Sequence, residues 1–383
     1  MNNTNKRLIW ASLLIVILAL AWFIGQQNAQ PEAEPKNTVS EVLSADDEEF
    51  ARVFKPRPFV FPRDHGPHDA YRSEWWYYTG NLQSKTGRRF GYELTFFRFA
   101  LTSQPIAGAS NWRSNQVYMA HFALTDVENQ RFYADERYAR AGNGLAGARK
   151  DKLHVWLYDW QARAHDANEK AGITLNAQSD EAAIDLQLTP LKPLVLQGQD
   201  GLSQKSAEPG NASYYYSYTR LQTEGRLRIG HENFAVNGAS WMDREWSSSA
   251  LSKEQAGWDW FALQLFDDSE IMFYRLRRKD GKADPHSAGA VFHADHSQTN
   301  LSSTDVVIEQ LDNWRSPHSG ISYPSQWRLS IPSQKLELLI TPLMEDQELN
   351  ITYRYWEGAV SVSGVHQGRP VTGQGYVELA GYR

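Results

Sequence analysis

The chain has 383 residues, 41% of them hydrophobic and 22% charged, which is enough for two ordinary domains or one large β domain with a buried core. It contains no cysteine, which excludes a disulfide framework, a thiolate metal site, a cysteine nucleophile and a lipid-modified N-terminal cysteine. The formal net charge is −6, and without Lys6 and Arg7 of the first 29 residues the 39 basic residues fall to 37 against 45 acidic ones, a balance that argues against nucleic acid or an anionic membrane surface as partner.

Lys6 and Arg7 precede an apolar run over residues 8–24, the order of an export signal or a short membrane anchor, with the positive charge keeping the N-terminus inside. A peptidase cut after Ala29 would place Gln27 where a small residue is needed, which favours an uncleaved anchor. Residues 1–29 are therefore predicted as a signal peptide or transmembrane anchor helix, and residues 30–48 as a flexible polar tether. The remaining chain would be held at the inner membrane facing the periplasm, or be secreted to the periplasm if the signal is cleaved.

From Phe50 onward, period-2 alternation dominates, as in half-buried antiparallel strands. Over 89–101, Phe90, Tyr92, Leu94 and Phe96 share one face and Glu93, Thr95 and Phe97 the other. Leu153, Val155 and Leu157 alternate with His154, Trp156 and Tyr158, and Ile184, Leu186 and Leu188 with Asp185 and Gln187. Further strands are predicted at 257–266, 271–277, 336–341, 351–356 and 374–379. The strongest helical stretch is short, at 248–255, and 197–211 reads as a loop. The pattern specifies an all-β chain built as a sandwich or barrel, with an N-terminal domain over 49–247 and a C-terminal domain over 248–383.

Aromatic side chains make up 13% of the chain, with 14 Trp and 18 Tyr, which suits strands and the walls of a ligand cavity. In the segment 63–82, a polar turn with Asp64, His65 and His68 feeds a strand that begins Glu74, Trp75, Trp76. Alternation puts Glu74, Trp76 and Tyr78 on one face and Trp75, Tyr77 and Thr79 on the other. Glu74 reads either as a proton donor or acceptor with apolar walls or as the partner of an arginine at a barrel rim. His121, in VYMAHFALTD, shares its face with Val117, Met119 and Ala123, whose small size leaves room for a functional imidazole or for a satisfied rim histidine.

Two later segments set acids among tryptophans. WMDREW holds Trp241, Asp243, Arg244 and Glu245, and its adjacent arginine suggests an ion pair that keeps Asp243 charged. GWDWF holds Asp259 between Trp258 and Trp260, sharing its face with Phe261, Leu263 and Leu265. Asp259 lies either in an apolar cavity, where burial would raise the carboxyl pKa as a general acid requires, or at the end of a strand on the rim. Asp259, Glu74, His121 and Asp243 are thus the candidate catalytic residues. Trp75, Trp76, Tyr78, Trp241, Trp258 and Trp260 are the candidate ligand contacts. Gly142, Gly144 and Gly147 match GxGxxG but lack a preceding strand and a following helix, so no dinucleotide site is expected. His293, Asp295 and His296 read as a solvated loop rather than a zinc site. Neither a metal nor another cofactor is expected.

The run 61–82, the segments YMAHFALTD and WMDREW, GWDWF followed by YRLRRKDG, and the closing YWEGAV and GQGYVELAGY resemble the AttH/CrtC family over residues 55–383. That family includes predicted secreted hydrolases and, more distantly, carotenoid 1,2-hydratases and fungal Diels–Alder cyclases. The resemblance implies two lipocalin-like antiparallel β-barrels with a ligand cavity near their contact. It also implies cofactor-free chemistry in which a carboxylic acid protonates an alkene, rings stabilise the cation and water adds. The expected protein is an exported binder of a hydrophobic small molecule or lipid that transforms it by hydratase- or hydrolase-type acid–base chemistry. The alternative is a non-catalytic lipid carrier or accessory subunit serving a membrane exporter. A third reading is a β-sandwich that binds carbohydrate through exposed aromatics.

Overall fold

The computed structural model describes residues 37–38, 50–104, 114–165, 172–248 and 251–383; the apolar run 8–24 and nearly all of the tether lie outside them. Among the described residues no helix is long and apolar enough to cross a membrane. The chain folds almost wholly into strands, arranged as two antiparallel sheets. The first runs in the order Arg131–Arg140, Gln116–Asp126, Arg89–Ala100, Ser73–Ser84, Glu232–Ser247, Ala212–Ile229, Ala182–Pro190, Ile173–Gln178, Trp160–Ala164, His154–Leu157 and Ala146–Ala148. The second runs Gln298–Ser302, Ala288–Phe292, Glu270–Arg278, Gln255–Leu265, Arg369–Ala380, Tyr353–His366, Leu336–Pro342, Ser322–Ile331 and Val307–Arg315.

One sheet makes a nearly closed barrel and the other a half-barrel, in keeping with the expected pair of lipocalin-like antiparallel barrels. In the first sheet the outer strand Arg131–Arg140 curls back on the far end of the same sheet: Arg137 donates to the Gln178 carbonyl at 3.0 Å and lies 4.3 Å over the Trp160 ring. Residues 248–255 were expected to be helical, but Gln255 already begins a strand and the described residues 251–254 are turn and coil. The loop expected at 197–211 includes a short strand, Leu202–Gln204, paired with Ala212–Ile229.

The central strands bury both faces, because the sheets pack against each other as well as around their own cores. In Ser73–Ser84, Trp76 and Tyr78 join the core of the first sheet, whereas Tyr77 joins an inter-sheet cluster with Tyr215, Trp241, Trp260, Tyr274 and Tyr376. In Gln255–Leu265, Phe261, Leu263 and Leu265 enter the core of the second sheet, whereas Trp260 and Ala262 face the first. This double burial explains the near-continuous apolar pattern of these strands. At the contact a Cβ on Gly91 would stand 2.6 Å from that of Ala359, so a glycine lets the two sheets approach at this point.

Candidate functional site

The inter-sheet layer holds a partly open cavity of about 100 Å³. By the alternation rule it is reached by odd-numbered residues of Ser73–Ser84, Arg89–Ala100 and Glu232–Ser247, and from the second sheet by Trp258, Trp260, Tyr355, Glu357 and Glu378. Aromatic rings supply eight of the eighteen lining residues, among them Trp75, Tyr77, Phe97, Tyr215, Trp258 and Tyr274. Four carboxyl groups interrupt it: Asp243, Glu245, Glu357 and Glu378.

Asp243 accepts hydrogen bonds from the Ser217 hydroxyl and the Tyr215 hydroxyl, both at 2.5 Å, and from the Trp241 indole at 2.6 Å. Burial nevertheless raises its pKa to about 7, because three neutral donors only partly offset the loss of water. The sequence expectation of an Asp243–Arg244 ion pair is corrected here. Successive residues of a strand face opposite ways, and Arg244 points into the first barrel.

Glu357 and Glu378 are direct cross-strand partners. Side chains in such pairs stand about 5 Å apart at Cβ, close enough for their charges to repel. Burial raises both; repulsion from Glu93 and Glu378 adds to it at Glu357, and repulsion from Asp243 and Glu245 at Glu378, so that Glu378 lies at about 7 and Glu357 is held well above the usual carboxylate range. Tyr77 donates its hydroxyl to Glu357, and Trp258 donates to Glu378. Glu93 faces the same pair from the first sheet; it is fully buried beside Thr95, and its pKa is also raised by burial and by Glu378. Glu245 differs from these: it receives the Ser213 hydroxyl and pairs with the Lys205 ammonium at 3.0 Å. Lys205 in turn sits 4.1 Å over the Tyr274 ring.

Of the residues singled out in the sequence, Asp243, Trp75, Trp258 and Trp260 come together at this cavity. Trp241 stands behind Asp243 as a hydrogen-bond donor and packs against Trp260. His121 reaches the wall through a neighbour: its Nδ1 meets the Tyr355 hydroxyl at 2.7 Å, and burial lowers its pKa to about 3, which keeps it neutral. Asp259 does not face the cavity. It lies on the other side of its strand from Trp258 and Trp260, ion-paired with Arg275 and with Arg277 (2.9 Å) and accepting the Tyr382 hydroxyl at 3.0 Å. Glu74 is likewise elsewhere, buried between Arg98 and Arg244 with His68 at 3.2 Å. Burial alone would raise its pKa, but the two guanidiniums outweigh it and hold Glu74 well below the usual range. Trp76 and Tyr78 belong to the first barrel's core, with Arg244 3.8 Å over the Trp76 ring.

Glu357, Glu378, Glu93 and Tyr77 were not singled out. YWEGAV and GQGYVELAGY each carry an acid two residues after a tyrosine, a same-face pairing that alternation alone could have drawn out. Among the described residues no group of three or more His, Cys, Asp or Glu is placed to hold a metal ion.

The family model for AttH-like proteins matches residues 52–382. Among solved structures, an AttH protein from Nitrosomonas europaea is 36% identical, with a TM-score of 0.77, covering 87% of this chain and 100% of its own. Kievitone hydratase from Nectria haematococca has a TM-score of 0.64 at 17% identity, covering 88% of this chain and 97% of its own. CghA bound to Sch210972 has a TM-score of 0.51 at 14% identity over the same shares. The last two likenesses are ones of fold. No curated protein matches the chain significantly.

Proposed function

We propose, from the premise that the chain belongs to the AttH-like family, that it binds an apolar small molecule in the inter-sheet cavity and adds water to it, or hydrolyses it, by acid–base chemistry of its own side chains. The observation that carries this reading is the cross-strand pair Glu357 and Glu378 in an aromatic wall, one keeping its proton and the other titrating at about 7. Two carboxyls whose environments push their pKa values apart supply an acid and a base in one site. In the hydration, Glu357 gives its proton to one alkene carbon and becomes a carboxylate. The positive charge left on the other carbon faces the rings and Asp243. A water oxygen bonds to that carbon while Glu378 takes the water's proton, and transfer of that proton back to Glu357 restores the starting state. A kievitone hydratase on the same fold, though distant in sequence, is consistent with this chemistry.

On the same terms, the apolar run 8–24 after Lys6 and Arg7 supports attachment to, or export across, a membrane, with the inner membrane and the periplasm as the proposed address. A lipid extracted from that membrane is then the natural first substrate pool. To test the reading, the full chain and its Glu357→Gln variant are incubated with a membrane lipid extract, and retained compounds are weighed by native mass spectrometry. Wild-type protein is expected to retain a compound whose mass rises by one water, and the variant to retain the same compound unchanged. Retention without any mass change by both proteins would instead identify a carrier.

A further inference from the structure

The cavity offers a ligand an unbalanced set of charges. Its wall carries four carboxyl groups from three strands and, among the described lining residues, a single cation, Lys205, whose ammonium is already committed to Glu245. Asp243 is hydrogen-bonded only by neutral donors, and the Lys205 ammonium acts on it through space rather than by contact. Glu93 adds a further buried carboxyl behind Glu357 and Glu378, with neither oxygen in a well-formed hydrogen bond. Between these acids stand the faces and edges of tryptophan and tyrosine rings, whose quadrupoles attract positive charge. An anionic headgroup entering this space would meet no free donor cation, and it would lose its water without compensation.

We propose that the cavity selects ligands bearing a positive charge, an apolar body with a tertiary or quaternary ammonium centre, and that it rejects anionic ones. The proposal rests on the reading above only in taking this cavity as the ligand site. Rings can surround the methyl groups of such a centre while Asp243 and Glu378 supply the opposing charge, an arrangement that neither a neutral nor an anionic ligand completes. The ammonium also imitates the positively charged carbon that protonation by Glu357 would create, so a ligand of this class would occupy the site as a stable counterpart of that intermediate. The titratable groups facing the centre are Asp243, Glu245, Glu357 and Glu378, with Glu93 behind them, Lys205, and the Tyr77, Tyr215, Tyr274 and Tyr355 hydroxyls. A bound cation favours the ionised carboxylates, so binding near neutral pH should release protons.

The experiment is titration calorimetry of the full chain with choline and with its neutral carbon isostere dimethylbutanol, in buffers of different ionisation heat at about pH 5, about pH 7 and about pH 8. Choline is expected to bind at least about tenfold more tightly than the isostere, to release protons near pH 7, and to weaken as the pH falls. Asp243→Asn and Glu378→Gln should each reduce that preference. Equal or weaker binding of choline, absence of binding by choline, or binding at about pH 7 without proton release would each overturn the proposal. Hydration of a neutral lipid alongside failure of choline would leave the reaction standing and remove the charge preference. Choline binding without any turnover would do the reverse.

Discussion

Asp243 and Glu74 show how the company of a carboxyl, more than its depth, decides its charge. Both are buried, yet Glu74 lies between two guanidiniums and stays ionised, whereas Asp243 has only neutral donors and titrates at about 7. For Asp243 the unfolded chain, with an ordinary value of 3.8, releases its proton at lower pH than the folded chain does. Its contribution to stability is therefore full below about pH 4 and is lost as the pH rises towards 7, by roughly 4 kcal/mol at 1.36 kcal/mol for each unit of pKa. Asp243→Asn should accordingly raise the thermal midpoint by several degrees at about pH 8, with little gain or a loss at about pH 4. A midpoint difference that does not change with pH would contradict this account.

At the scale of the strand, the neighbour in sequence is the wrong neighbour in space. Asp259 is flanked by Trp258 and Trp260, but the pleat sends it into the half-barrel towards Arg275 and Arg277 while the rings face the cavity. Asp259→Asn should thus cost about 3 kcal/mol of stability by leaving two part-buried guanidiniums without their anion, and leave ligand binding and turnover intact. Denaturant unfolding set beside an activity assay separates the two effects, and a variant of normal stability that has lost turnover would refute the structural role. The alternation in 89–101, 153–158 and 184–188 could be read from the residues because apolar side chains recur every second position. What could not be read was which face met the other sheet, since both faces of the central strands are apolar. The pairing of Glu357 with Glu378 depends on register between two strands, and the approach of Glu93 depends on sheet packing. Neither leaves a trace in local pattern.

For the molecule as a whole, a cavity whose wall comes from both sheets ties the two together. Tyr77 reaches Glu357, Asn81 donates to the Gly375 carbonyl at 2.9 Å, and Gln264 bridges back to the Thr219 carbonyl at 2.7 Å. Buried polar bonds of this kind would be left unsatisfied if either half opened alone. Heating is therefore expected to give one cooperative transition for residues 50–383, with calorimetric and van't Hoff enthalpies equal; two resolved transitions would show that the sheets unfold independently.

The close approach at Gly91 and Ala359 carries this further. Neither residue belongs to the cavity wall, yet together they act as a shim between the sheets, and the thickness of a shim sets the gap elsewhere. Relatives that bind bulkier or slimmer molecules need not alter any residue that touches the ligand. A methyl group gained or lost at this remote spacer would widen or narrow the whole slot, so that substrate range could drift while the acids and rings stay in place.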